Sequence, residues 1–433
     1  MLAKREVRRP LSLSRRSAAS DQFWSAAEFA IGPALFLLTT PILLGALGEN
    51  GFGEYAFGLA AAGMVALLNP GLPVSAAQVV ARLGSRQRQA QFGLVVLVVT
   101  VAIMSMACAL VSGVVHLLHP QFNALAAYSL PMILVGIALG CIQQIDLTVS
   151  GLLKGCLAFR RAALLELSGR VLCSSATIVA AIFGAGSTSV LSALTAGAVV
   201  VVATKVGAFF AIAGIGIART GVARYFVRRL RQPAGWNWVQ SLASGASISV
   251  DRLLVGLLLS PASLGVYAIC MQGGRLAYGS LYATFQRLLP VSSNLAAASD
   301  HQTLGREVVR AYRLALAMIL IGNLISLTAA PFLLSAWLST QFAANHVTTF
   351  IVAIAVFSIG GLSVVGHHVL LGRGDTRSVS LVYVAAAILM LCAIPIGIEI
   401  AGLDGAIWAR LVYFCVLLVL PWLLFLSLRR HSR

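Results

Sequence analysis

Apolar runs of membrane length alternate with short polar connections along all 433 residues. About 20 consecutive apolar residues cross a hydrocarbon core as a helix. Twelve such runs are present, at 22–44, 55–80, 92–118, 127–152, 162–184, 190–217, 236–259, 264–295, 308–336, 347–371, 378–400 and 404–427. Several exceed the minimum and must tilt or kink. The pattern predicts an all-α polytopic membrane protein, with segments 45–54 and 260–263 as loops between spans.

The polar connections fall into two classes. With residues 1–21 placed inside, the inner connections and both tails hold 25 of the 31 Lys and Arg. The outer loops 45–54, 119–126, 185–189, 260–263, 337–346 and 401–403 hold none. This asymmetry is the positive-inside rule. It predicts a multi-pass membrane protein with both termini cytoplasmic. It also explains the net charge of +18 as topological, so nucleic acid is not expected as a partner. Hydrophobic residues at 59% and charged ones at 10% exclude a soluble domain. All six Trp lie close to span ends, where an aromatic belt forms. The seven Cys are scattered without a CxxC pair and read as small packing residues.

The long basic connection `ARTGVARYFVRRLRQPAG` at 218–235 divides the spans six and six. The expected organisation is a cytoplasmic tail (1–21), an N-lobe (22–217), a cytoplasmic linker (218–235), a C-lobe (236–428) and a short tail (429–433). A weak repeat supports the division. `GALGENGFGEYA` at 45–56 and `GLLLSPASLGVYA` at 256–268 each end in Gly-x-Tyr-Ala. Pro73 and Pro290 follow at matching places. Two even-numbered halves of this kind are related by an axis along the membrane normal.

A charge costs roughly 2.5–3.5 kcal/mol at the centre of a span, so each must pair, snorkel or face water. Six cations lie within spans: Arg170, Lys205, Arg252, Arg275, Arg287 and Arg410. Four acids accompany them: Glu28, Asp146, Glu166 and Asp251. Glu166 and Arg170 have i,i+4 pairing geometry. Arg287 can snorkel, and Arg410, near an outer end, reads as interfacial. Asp251 and Arg275 lie roughly 12 and 16 Å from the outer ends of adjacent spans at 1.5 Å per residue. They are expected to meet, with Arg252 turned another way around its helix. The surplus of base suggests a cavity that accepts an anion. His367 and His368 read as buried or cavity-lining rather than metal ligands. There is no Walker A, GxSxG or HExxH; no cofactor, metal or enzymatic activity is expected.

Four stretches carry a resemblance: `VDRLLVGLLLSPASLGVYAICMQ`, `GALGENGFGEYAFG`, `LLKGCLAFRRAALLEL` and `AGLDGAIWA`. In this order, with twelve spans, the chain resembles the polysaccharide transporters of the multidrug/oligosaccharidyl-lipid/polysaccharide exporter superfamily, including the O-antigen (Wzx-type) flippases. The resemblance implies a V-shaped pair of six-helix lobes around a central cavity. It implies a polyprenyl-diphosphate-linked oligosaccharide as substrate, with membrane lipid, a polymerase and a chain-length regulator as candidate partners. Cations on spans five to eight, Arg275, Arg252, Lys205, Arg170 and Arg287, are then candidates to hold the diphosphate. Asp251, Glu28 and Asp146 are candidates for ion coupling or charge pairing. A multidrug exporter of the same fold is the alternative, though its cavity should favour acids. A membrane glycan polymerase or ligase would need a larger outer loop.

Overall fold

The computed structural model describes residues 15–68, 72–83, 85–214, 235–298 and 300–431. The first half holds α1 (Arg15–Ala66), α2 (Leu72–Arg82), α3 (Arg86–Leu118), the single turn α4 (Asn123–Ala126), α5 (Leu130–Gly155), α6 (Phe159–Ile182) and α7 (Ser187–Ala213). The second holds α8 (Gly235–Leu258), α9 (Pro261–Phe285), α10 (Leu288–Ala297), α11 (His301–Trp337), α12 (Thr340–Gly372), α13 (Thr376–Leu417) and α14 (Val419–His431). Most of the linker, residues 1–14 of the N-terminal tail and the side chain of Glu28 lie outside the described residues.

Among the described residues, eight stretches are long and apolar enough to cross a membrane. Two of these, Ile31–Val65 within the 52-residue α1 and Thr376–Leu426 of 51 residues, belong to stretches of double length. The first bends at Gly48, whose φ of 68° is open to glycine at little cost, and the second at Ala401–Gly402. Divided there, and with α8 and α9 added, they give the twelve expected spans. The helices α8 and α9 fall short of that apolarity while bearing Asp251, Arg252 and Arg275. Helix starts follow local chemistry. Ser260, Asp300, Ser339 and Asp375 each cap a helix by accepting a backbone N–H three residues on.

Two expectations change. Residues 45–54 are not a loop, since helix continues through them apart from the bend at Gly48. The runs 55–80 and 264–295 are each broken, between Ala66 and Leu72 and between Phe285 and Leu288. Pro73 and Pro290 lie in the first turn of the segments that follow. There the missing N–H costs no helical bond, whereas mid-helix it would. The breaks thus recur at matching places in both halves, as Gly48 and Ser260 do.

The two halves pack on each other through α1 against α8 and α9. Gly53 lies so close to the Pro261 carbonyl that a Cβ would overlap it, and Gly63 sits likewise on Ser249. Tyr128 stacks on Phe57 at 3.8 Å and donates its hydroxyl to the Gly256 carbonyl at 2.9 Å. By contrast α2 packs on α3 and α5, and α10 on α11 and α12, each within its own half. The halves therefore join toward the end with Lys/Arg-free loops. A second, smaller core of Val80, Phe92, Leu152 and Phe209 fills the far end of the first half.

Candidate functional site

The buried charges sort into two clusters, one in each lobe. In the N-lobe, Lys205 of α7 is almost wholly buried, at 1% exposure. Its Nζ lies 2.7 Å from Asp146 Oδ2 on α5, 2.6 Å from Glu166 Oε2 on α6 and 3.1 Å from Ser150 Oγ. An ammonium has three donors, and this one has a partner for each. Arg170 donates Nε to Glu166 Oε1 at 2.9 Å, the expected i,i+4 pair. Two cations thus balance two acids. They border a cavity of about 460 Å³ between α1, α5, α6 and α7, into which Gln143 and Thr39 also project. Asp146 Oδ1 is buried there without a hydrogen-bond partner.

In the C-lobe the expected pair of Asp251 with Arg275 is not formed. Asp251 of α8 is fully buried and takes Arg410 of α13 instead, at 3.3 Å. Its Oδ2 also accepts the Tyr267 hydroxyl at 3.1 Å, and its Oδ1 the Arg252 backbone N–H at 2.7 Å. Arg410 is not interfacial. It is 3% exposed, donates to the Ser247 carbonyl, and lies 5.4 and 5.7 Å from the ring centres of Phe357 and Tyr413. With Asp251 so engaged, Arg275 is left with Nε and Nη2 buried and without a partner, and Arg252 with Nε. Those two nitrogens form one edge of the Arg275 guanidinium, the fork that matches the paired oxygens of phosphate or carboxylate. Among the described residues this cluster sets three guanidiniums against one carboxylate.

Arg275 and Arg410 line a cavity of about 230 Å³ enclosed by α8, α9, α12 and α13. His367 lines it too, and packs on Tyr383 at 5.4 Å. His368 hydrogen-bonds through Nδ1 with the Val364 carbonyl at 2.9 Å, and its ring lies 4.6 Å from Tyr282. Arg287 is exposed at the break between α9 and α10, where it precedes α10, and joins neither cluster.

The sequence reading missed Arg410 and Tyr267 as partners of Asp251, yet a signal was present. Arg410 is eight residues past the bend at Gly402, and Asp251 is eight residues before the end of the run at 259. At 1.5 Å per residue both are about 12 Å deep. Span twelve was as good a source of a partner as span eight.

No curated protein matches the sequence. Among solved structures, an inward-facing multidrug resistance MATE family transporter of the MOP superfamily has a TM-score of 0.75 at 13% identity, over 94% of this chain and 98% of that one. The MATE multidrug transporter DinF-BH has 0.64 at 13% identity, over 98% of both chains. A MOP superfamily transporter from Pyrococcus furiosus, described by the reverse polarity of its binding pocket, has 0.60 at 13% identity, over 96% and 97%. These likenesses give the fold: a MATE-like bundle of two lobes. Residues 23–296 match the polysaccharide biosynthesis protein family, and the chain belongs to that family, on the fold of the MOP superfamily transporters.

Proposed function

We propose that this protein carries polyprenyl-diphosphate-linked oligosaccharides across the bacterial inner membrane by alternating access between its lobes. The observation that carries this reading is the empty fork of Arg275 within a C-lobe cluster that is in excess of base. Family membership supports the glycan. A polyprenyl tail can remain in lipid while its head group crosses, so the protein has to supply a route for a hydrated anion. Arg275 and Arg252 supply unmet donors for a diphosphate. Lys205 and Arg170 are committed to Asp146 and Glu166 and act as the frame of the N-lobe. Asp146, with one unmet oxygen on a cavity, is the acid best placed to exchange a coupling ion.

The conformation fits one stage of such a cycle. The lobes meet near the loops free of Lys and Arg, which the positive-inside rule puts outside. The state is then closed outward and open inward. The decisive experiment is transport of a fluorescent or radiolabelled lipid-linked oligosaccharide in proteoliposomes. Wild type should move it, and Arg275→Ala with Arg252→Ala should not. Equal transport by the double variant overturns the assignment. Efflux of a cationic dye without glycan transport would instead favour the multidrug reading that the structural neighbours suggest.

A further inference from the structure

Beyond its arginines, the C-lobe cavity has a second chemical character. Its walls are aromatic: Tyr278 and Tyr282 stand one turn apart on α9, and Tyr383 and Tyr413 face in from α13. The Tyr278 and Tyr282 rings lie 6.4 Å apart, and Tyr278 lies 5.8 Å from Phe414, so the wall is continuous. Both α9 tyrosines are half-buried and keep open surface. Gln240 and Ser244, four residues apart on α8, add amide and hydroxyl groups. The larger N-lobe cavity has amides and hydroxyls too, but it lacks the aromatic wall: Phe36 is its one aromatic lining residue among the described residues, and its lysine is spent.

The volume limits what can enter. About 230 Å³ is below the roughly 300–1,000 Å³ of pockets for drug-sized ligands. The cavity holds one ring, not an oligosaccharide. A pyranose has an apolar C–H face, which packs on aromatic rings, and a hydroxyl edge, which needs amide and hydroxyl partners. Arg275 places an oxyanion fork on the same cavity.

We propose that this cavity is the subsite for the single pyranose attached directly to the diphosphate, its ring against Tyr278 and Tyr282 while Arg275 holds the adjoining phosphate. The proposal rests on the glycolipid reading above and adds to it that sugar selection lies in the C-lobe. It makes Tyr278, Tyr282 and Gln240 specificity-determining residues, distinct from the arginines that hold charge.

The test separates the two readings. Full-length protein in detergent is titrated calorimetrically with inorganic phosphate, a methyl hexopyranoside and a hexose 1-phosphate. The hexose 1-phosphate should bind at least about tenfold more tightly than phosphate, the increment expected of a partner making both sets of contacts. Tyr278→Ala should erase the increment and keep phosphate binding. Tyr282→Leu is the second variant should that protein fail to fold. Arg275→Ala should lose both. Equal affinity for phosphate and hexose 1-phosphate in wild type overturns the sugar subsite and leaves the head-group reading standing. Absence of phosphate and hexose 1-phosphate binding overturns both.

Discussion

Arg410 on α13 closes on Asp251 of α8 at 3.3 Å, and by doing so leaves Arg275 without a carboxylate. The pair holds together two helices from opposite ends of the C-lobe sequence. Removing one member of a buried ion pair strands the other, at about 3–5 kcal/mol. Asp251→Ala should therefore destabilise the protein by that order. Removing Arg410 in the same chain should recover much of the loss, and removing Arg275 instead should not. Unfolding midpoints of the two double variants in detergent decide between the partners.

The N-lobe leads to a different expectation. The Lys205 ammonium occupies the space between Asp146 and Glu166 that a free cation would otherwise take. Lys205→Ala should leave Asp146 without its cation, with Glu166 still held by Arg170, and so create a cation site. Thermal stability of the variant should then rise with sodium or potassium, by up to about 2.7 kcal/mol at a hundredfold excess over Kd. Wild type should not respond. A variant equally indifferent to salt would mean that the carboxylates relax apart or take up protons.

Arg275 should prove sensitive to geometry as well as charge. Lysine keeps the positive charge but lacks the planar fork. Arg275→Lys should lower glycolipid transport by about tenfold, on the order of the 1.5–3 kcal/mol of one charge-assisted hydrogen bond. Arg275→Ala should abolish it. Full transport by the lysine variant would show that a point charge suffices.

Much of this architecture was legible in the chain because membrane physics writes it locally. Span lengths follow from the thickness of the bilayer, and the basic loops from the cost of moving Lys and Arg across it. The i,i+4 pair of Glu166 and Arg170 was legible for the same reason, since both residues lie on one helix. Partner choice between helices was not. Asp251 has cations at similar depth on spans eight and twelve, and only the packing of α8 against α13 selects Arg410. The bonds of Lys205 to Asp146 and Glu166 are not legible in the chain either, because the three residues come from three helices whose rotation no spacing reveals. The loop expected at 45–54 shrinks to one residue for a backbone reason, because Gly48 at positive φ ends one helix and lets the next begin directly.

A last prediction concerns the seam between the lobes. Proline at position 41 lacks the N–H that would bond the carbonyl of Leu37 one turn earlier. Trp337, at the end of α11 in the opposite lobe, donates its indole N–H to that carbonyl at 2.6 Å and sets its ring 6.1 Å from Phe36. The bond crosses between lobes that, in the proposed cycle, separate when the outer side opens. Trp337→Phe keeps a ring there and loses the donor, at about 1 kcal/mol, or a roughly fivefold shift toward the outward-open state. Ser249, buried against Gly63 on the interlobe face, is a suitable reporter once changed to cysteine in a background without native cysteines. Its labelling by an impermeant thiol reagent from the outside should rise about fivefold in Trp337→Phe, in line with that loss. Pro41→Ala restores a helical donor to Leu37, so in that background the same tryptophan change should have no effect. If Trp337→Phe raises labelling equally with and without Pro41, the indole acts through its packing on Phe36, and the hydrogen bond to Leu37 is not the latch.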